Sequence, residues 1–313
     1  MSEKVTIEKL ISRRDLPDED LLRLLETGDD VLVRQLLEGA FRVRVAHKGK
    51  EVLRRGLIEW SNVCRNDCMY CGIRRSRKVQ RYSLTPEQIL DCCRRVADAG
   101  IGTFVLQGGE NPAGALELVP VVKSIRERWP RHAITLSLGE LPFETYRLLR
   151  EAGANRYLLR HETANPLHYS RLHPASMLLE SRLACLQELR RLGFEVGMGM
   201  MVGSPFQTPS HLLEDIRLIQ RFGPEMIGIG PFIPQADTPF ASFPAGSADT
   251  TLRLIAILRL MLPDANIPST TALAVLAGGK DAGLEAGANV VMPVFTPDTV
   301  KNQYDLYIGK HNV

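Results

Sequence analysis

The sequence predicts an α/β fold, a (β/α)8 TIM-type barrel with an N-terminal helical extension, on three observations. From Leu57 onward short apolar runs alternate with longer amphipathic ones, as parallel strands alternate with the helices that cover them. A helix-then-glycine-then-strand step recurs at Ala99-Gly100, Ala152-Gly153, Leu192-Gly193 and Ala286-Gly287, where glycine ends a helix and releases the chain into the next strand. The residues that follow the strands are polar or glycine-rich, and in a barrel they converge on the face that carries chemistry.

Residues 1–51 read as a helical segment, followed by a barrel domain over 52–313. Leu21, Leu22, Leu24, Leu25, Val31, Leu32, Leu36 and Leu37 recur at helical spacing. Asp15, Asp18, Thr27, Asp29 and Asp30 are candidate helix starts, because a short side-chain oxygen accepts an N–H that the first turn leaves unpaired. Strands are predicted at 57–61, 103–106, 134–138, 157–159, 195–200, 226–230, 265–267 and 289–292. Helices are predicted at 85–99, 115–128, 143–151, 176–192, 209–222, 247–262 and 273–286, and the stretch before residue 176 reads as a loop.

With 44% hydrophobic and 24% charged residues, disordered, collagen-like and coiled-coil chains are excluded. The 39 basic and 36 acidic residues leave +3, too weak a balance to argue for a nucleic-acid or anionic-membrane partner. The first residues lack a signal-peptide pattern and no run reaches the roughly 20 apolar residues that cross a bilayer, so the expectation is a cytoplasmic protein. Its 6 cysteines are then expected as thiols or metal ligands.

The densest chemical signal is Cys64-Arg65-Asn66-Asp67-Cys68-Met69-Tyr70-Cys71, a C-x3-C-x2-C run directly after the first barrel strand. Three thiolates on one short loop hold three irons of a cubane cluster and leave the fourth open to a ligand. Two blander readings compete. Spacings of four and three also bury thiols on one helix face, against which the polar Arg65, Asn66 and Asp67 argue. A zinc site needs a fourth ligand, and no neighbouring Cys or His supplies it. Cys92, Cys93 and Cys185 fall on predicted helices and read as core thiols. His161, His168 and His173 show no i, i+4 pairing and read as solvent or structural groups.

The cysteine spacing and position resemble the signature of the radical S-adenosylmethionine (SAM) superfamily. The resemblance implies a 4Fe-4S cluster on Cys64, Cys68 and Cys71, with SAM on the open iron through its amino and carboxylate groups. It also implies reductive cleavage of SAM to methionine and a 5′-deoxyadenosyl radical, fed by an external electron donor. Several strand ends suit SAM. Gln107, Gly109 and Glu110 belong to a glycine-rich segment whose backbone can approach the SAM amino group, though a tight turn explains it equally. Thr135 and Ser137 offer hydroxyls, and Glu162 an acceptor for an amine or ribose. Arg182 matches a carboxylate in two-point geometry, and Tyr70, Met201 and Ile233 offer surface for adenine. Each alone is a common structural residue. Their alignment on one rim makes them candidates.

Longer phrases resemble the FeFe-hydrogenase maturase HydE family: the segments 64–75, 135–140, 156–166, 201–208, 228–234, 266–272 and 287–293, among them Arg160-His161-Glu162-Thr163 and Pro268-Ser269-Thr270-Thr271. This resemblance runs from about Asp18 to the C-terminus. It implies work on a cysteine-bound iron carbonyl and cyanide species, or a similar small carboxylate-bearing substrate, in assembling the hydrogenase H-cluster with other maturation proteins. It also implies a deeper substrate pocket lined by Arg160, Thr270, Thr271, Tyr304 and Tyr307, with Arg160 and Tyr307 as the catalytic pair. Guanidinium and hydroxyl groups suit a small anion. Two departures stand out: the chain stops at Val313, so no second cluster is expected from a tail, and Asn111 replaces a usual acidic residue. The rival readings are a PylB-type methylornithine synthase, biotin synthase, and a non-catalytic iron-sulfur carrier. Biotin synthase would need cysteines on inner strands, and a carrier would need no rim of inward polar groups.

Overall fold

The computed structural model describes residues 3–312. Three helices lead: α1 (Glu3–Arg13), α2 (Asp18–Glu26) and α3 (Asp30–Lys48). Asp29 caps α3 by accepting from Val31 and Leu32 N–H, and Thr27 in turn accepts from Asp29 N–H. Helix α2 starts at Asp18 after Pro17, without a side-chain cap. Leu21, Leu24, Leu32 and Leu36 are buried, as the helical spacing demands.

After β1 (Leu53–Arg54), the strands β2 (Gly56–Ser61), β3 (Thr103–Gly108), β4 (Ala133–Ser137), β5 (Arg156–Leu158), β6 (Glu195–Val202) and β7 (Met226–Pro231) make one six-stranded parallel sheet in chain order. The covering helices are α4 (Pro86–Asp98), α5 (Pro112–Arg128), α6 (Phe143–Glu151), α7 (Pro166–Leu172), α8 (Leu179–Arg191), α9 (Pro209–Phe222) and α10 (Ala248–Met261). Helix α3 packs on α10 and α2 on α9, so the leading helices add to the outer layer. Gly100, Gly153, Gly193 and Gly287 all have positive φ, as helix-ending glycines require.

The last quarter of the ring departs from expectation. The strand predicted at 265–267 is reduced to isolated bridges, Met226 with Asn266 and Pro268 with Val290. Pro268 has no N–H for a ladder, which accounts for the interruption. The eighth strand is β8 (Val290–Val291), paired with β1. The ring closes where Leu57 N–H donates to Pro293 O at 2.9 Å and Phe295 N–H to Leu57 O at 2.7 Å. The helix predicted at 273–286 is split into α11 (Thr271–Ala277) and α12 (Asp281–Glu285) by Gly278 and Gly279, both at positive φ. Among the described residues no helix is long and apolar enough to cross a membrane.

The stretch read as a loop holds α7, started by Asn165, whose side chain accepts from His168 N–H, and by Pro166 at the first helical position. His161, His168 and His173 are all buried, so the solvent reading fails and the structural one stands. His168 reaches Thr163 Oγ1 and Pro205 O, each at 3.1 Å, while His173 stacks on Tyr169. Cys92, Cys93 and Cys185 are buried thiols, as expected.

Along β6, Val196, Met198, Met200 and Val202 face the helices, which leaves Gly197 and Gly199 toward the lumen. A Cβ on Gly199 would lie 1.9 Å from Gly228 O on β7. Gly199→Ala is therefore expected to lower the unfolding free energy by about 2–3 kcal/mol in urea titrations. Gly102→Ala, where a Cβ meets nothing within 4 Å, should stay within about 0.5 kcal/mol. Burial pushes His168 down to about 4 and His173 down to about 3. The unfolded chain takes up those protons near pH 6.5 and the folded chain refuses them, so stability is full above that pH and falls below it. The expected loss is about 1.4 kcal/mol per pH unit for each histidine down to pH 4. His168→Gln should remove about half of that slope, and an unchanged slope would refute the assignment.

Candidate active site

The cysteines ride on the irregular segment between β2 and α4, and this loop is fixed to the strand ends. Arg65 N–H donates to Glu110 O at 2.8 Å, and Arg65 Nε to Glu110 Oε1 at 2.9 Å. Gly109 N–H donates to Ser61 O, and a Cβ on Gly109 would lie 2.4 Å from Val63 O. Glycine is thus needed at 109 for the approach of the cysteine loop itself. Asn111 caps α5 by accepting from Gly114 N–H.

Cys64, Cys68 and Cys71 open together onto a cavity of about 260 Å³ at the C-terminal ends of the strands. Burial pushes all three thiols up, and the neighbouring cysteines push Cys68 and Cys71 further, Cys71 to about 12. Thiols that resist ionisation alone would give up their protons to a cationic group, and a multi-iron group would supply that charge. Three cysteines of one loop open onto one cavity, a donor set that suits a multi-iron group with one iron left open better than a zinc site with four protein ligands. The thiols fit the cluster.

Tyr70, Gln107, Gly109, Glu110, Ser137, Glu162, Arg182, Met201 and Ile233 line the same cavity. Thr135 does not: it lies two residues below Ser137 on the lumenal face of β4, buried, its hydroxyl without a partner. The charged residues are already engaged with one another. Glu110 also accepts from Glu140 N–H at 2.7 Å, and Arg182 Nε donates to Glu140 Oε1 at 2.6 Å. Tyr70 is held by His173, whose Nε2 lies 3.2 Å from the phenol oxygen. Because His173 Nδ1 faces Tyr169 O at 3.0 Å and must donate there, Nε2 accepts from Tyr70.

A second, lumenal cavity of about 300 Å³ lies against the first. Thr270 and Thr271 line only this one, Tyr304 lines only the first, and Arg160 and Tyr307 line both. The wall between the cavities thus carries a guanidinium and a phenol. Arg160 Nη2 lies 2.8 Å from Glu162 Oε2 and donates to Met200 O at 2.9 Å, while its buried Nε has no partner. Glu162 has φ 66°, a left-handed backbone that costs about 1–2 kcal/mol for a residue with a Cβ.

The lumenal cavity contains groups that sequence reading missed. Lys310 Nζ pairs with the buried Glu59 carboxylate at 2.6 Å, and Lys280 and Lys301 add positive charge to the lining. Burial pushes Glu59 up while Lys310 pulls it back, and burial lowers Lys280. Glu59 was legible as a lone acid in an apolar predicted strand. The lysines lie on a segment with no periodicity to announce them.

Residues 58–219 match the Radical SAM superfamily. The FeFe hydrogenase maturase subunit HydE of Thermotoga maritima is 44% identical, over 99% of this chain and 89% of that protein. Biotin synthase of Magnetococcus marinus is 29% identical, over 86% of this chain and 83% of its own. The crystal structure of methylornithine synthase (PylB) superposes with a TM-score of 0.86 at 28% identity, covering 94% of this chain and 87% of that one. The superfamily's cofactors are a 4Fe-4S cluster and SAM, and the matched segment contains all three cysteines together with Arg160, Glu162 and Arg182. The protein is a radical SAM enzyme and belongs to that superfamily.

Proposed function

We propose that this enzyme acts in FeFe-hydrogenase maturation in the manner of HydE, on a cysteine-bound iron carbonyl and cyanide species or a similar small carboxylate-bearing substrate. The observation that carries the reading is the pair of adjoining cavities that share Arg160 and Tyr307 as their wall. When bound, a cluster reduced by one electron from an external donor would pass that electron to SAM and break its C5′–S bond, giving methionine and a 5′-deoxyadenosyl radical. Cys64, Cys68 and Cys71 hold the cluster. Tyr70, Met201 and Ile233 give the adenine an apolar seat, while Gln107, Gly109, Glu110 and Ser137 place backbone and polar groups beside the amino acid end. Glu162 accepts from ribose hydroxyls or the amine, and Arg182 draws the SAM carboxylate. Thr135 supports this rim from below through β4.

In the lumenal cavity Arg160, Thr270, Thr271 and Tyr307 bind the substrate, with Tyr304 closing the approach beside Gln107, whose Nε2 lies 3.3 Å from the phenol oxygen. Arg160 and Tyr307, facing both cavities, orient the substrate toward the radical and exclude water. The proposed partners are other hydrogenase maturation proteins and an external electron donor. The proposed location is the cytoplasm, where thiols stay reduced. A mutase acting on an amino acid is the second reading, favoured by the superposition on methylornithine synthase.

The first test is anaerobic iron-sulfur reconstitution, then dithionite and SAM with chromatographic detection of 5′-deoxyadenosine. Product from the native chain and none from Cys68→Ala is expected; a native chain with a full cluster and no product would favour an iron-sulfur carrier. Arg160→Gln should raise KM for the iron carbonyl–cyanide cysteine substrate roughly 10- to 100-fold, the size of a lost charge-assisted hydrogen bond. Substrate-free SAM cleavage should change less than the substrate KM, since Arg160 bears on SAM only through its pair with Glu162. A KM left at the native value removes Arg160 from substrate binding, and formation of methylornithine from an amino acid instead would support the mutase.

A further inference from the structure

Arg160 and Glu162 enter the cavities from the stretch 159–164, which is neither regular helix nor regular strand. Two facts need a cause. Glu162 holds a left-handed backbone, and its neighbours His161 and Thr163 point the other way, fully buried behind the cavity. Strand pairing explains part of this: His161 and Glu162 N–H both donate to Gly199 O at 3.0 Å, and Met201 N–H donates back to Glu162 O at 3.0 Å. Thr163 N–H also donates to His161 O at 2.9 Å, which closes a strained three-residue turn centred on Glu162 and accounts for its left-handed backbone, while leaving the turn to be held against relaxation.

The hold comes from α9. Asp215 is fully buried, and no Lys or Arg pairs with it among the described residues. Its Oδ1 accepts from Ala164 N–H at 2.5 Å and lies 3.1 Å from His161 Nε2. One carboxylate oxygen therefore grips the chain on both sides of Glu162. A buried carboxylate is costly to keep, and holding two groups that flank a strained turn is what this one does. His168 adds a second tie, from Thr163 Oγ1 to Pro205 O in the loop that leads into α9.

We propose that Asp215, outside both cavities, is a positioning residue that clamps the turn at Glu162 and thereby aims Glu162 and Arg160 into the site. The proposal rests on the assignment of Glu162 to SAM binding. If the clamp is loosened, the turn relaxes toward ordinary backbone and Glu162 leaves the cavity. The cysteine loop, tied instead through Arg65 and Glu110, keeps its place.

The test compares Asp215→Asn, Glu162→Gln and the double variant as anaerobically reconstituted full chains, with His161→Asn as a second probe of the clamp. Iron content, the SAM KM for 5′-deoxyadenosine formation and kcat are measured on each. Asp215→Asn and His161→Asn are expected to keep a native iron content and to raise the SAM KM at least fivefold, with kcat within threefold. The double variant should match Glu162→Gln alone within twofold, because Asp215 acts through Glu162. A merely structural Asp215 would give additive losses in the double variant, or lost iron and lower kcat with KM unmoved, and either result overturns the proposal. A native SAM KM in both clamp variants overturns it too. If Glu162→Gln leaves the SAM KM unchanged while Asp215→Asn raises it, the assignment of Glu162 fails and the clamp acts on another group. A native chain that holds its cluster and binds no SAM would sink both readings together.

Discussion

The segment from Asn62 to Tyr82 carries the three cysteines without a helix or strand to satisfy its backbone, and the Arg81 guanidinium does that work. Its Nη1 donates to Asn62 O and Ile73 O at 2.7 and 2.8 Å, and its Nη2 to Arg74 O and Arg77 O at 2.5 and 3.2 Å. Asn62 adds three bonds of its own, to Gln80 O, Gln303 O and Tyr82 N–H, each at 2.8 Å. Asp67 is held down at about 2, against its burial, by Ser76 N–H and Arg74. Buried carbonyls left unpaired would open the loop to water. Because they are paired, thiols that resist ionisation stay on one wall of the cavity until a cationic group takes them.

The division of the barrel interior follows from side-chain size. Gly228 and Gly230 on β7 leave the lumen hollow on one side, where a barrel normally packs branched residues. Polar groups then have room to face inward, and Lys310 meets Glu59 there rather than solvent. Arg160 stands at the boundary, paired with Glu162 on the side of the cysteine cavity and carrying an unpaired buried Nε. One guanidinium thus faces two cavities.

How much of this could be read beforehand varies with the kind of signal. The regular strands β2–β7 were legible because burial on both faces forces continuous apolar runs. The cysteine loop and the strand-end residues were legible because short-range spacing carries them. The irregular strand at 265–268 was not, since Pro268 breaks a ladder whose partners lie far away in sequence. Helix α7 was signalled by Asn165-Pro166 and passed over, because seven residues show too little periodicity. The buried state of the histidines depended on partners such as Asp215 and Pro205 from other elements, which no local pattern contains. Thr135 fell short of the rim because residues on one face of a strand differ in height as well as direction.

The uneven closure of the ring separates two tasks that barrel enzymes often merge. The six-stranded sheet carries Met201 on β6 and leads into the cysteine loop after β2, whereas Thr270, Thr271 and Lys280 follow a stretch tied to its neighbours by isolated bridges. A lineage can lengthen, shorten or re-aim that stretch without disturbing the sheet. A hydrogenase maturase, a methylornithine synthase and a biotin synthase each resemble this chain over most of its length, so one scaffold serves proteins of quite different names.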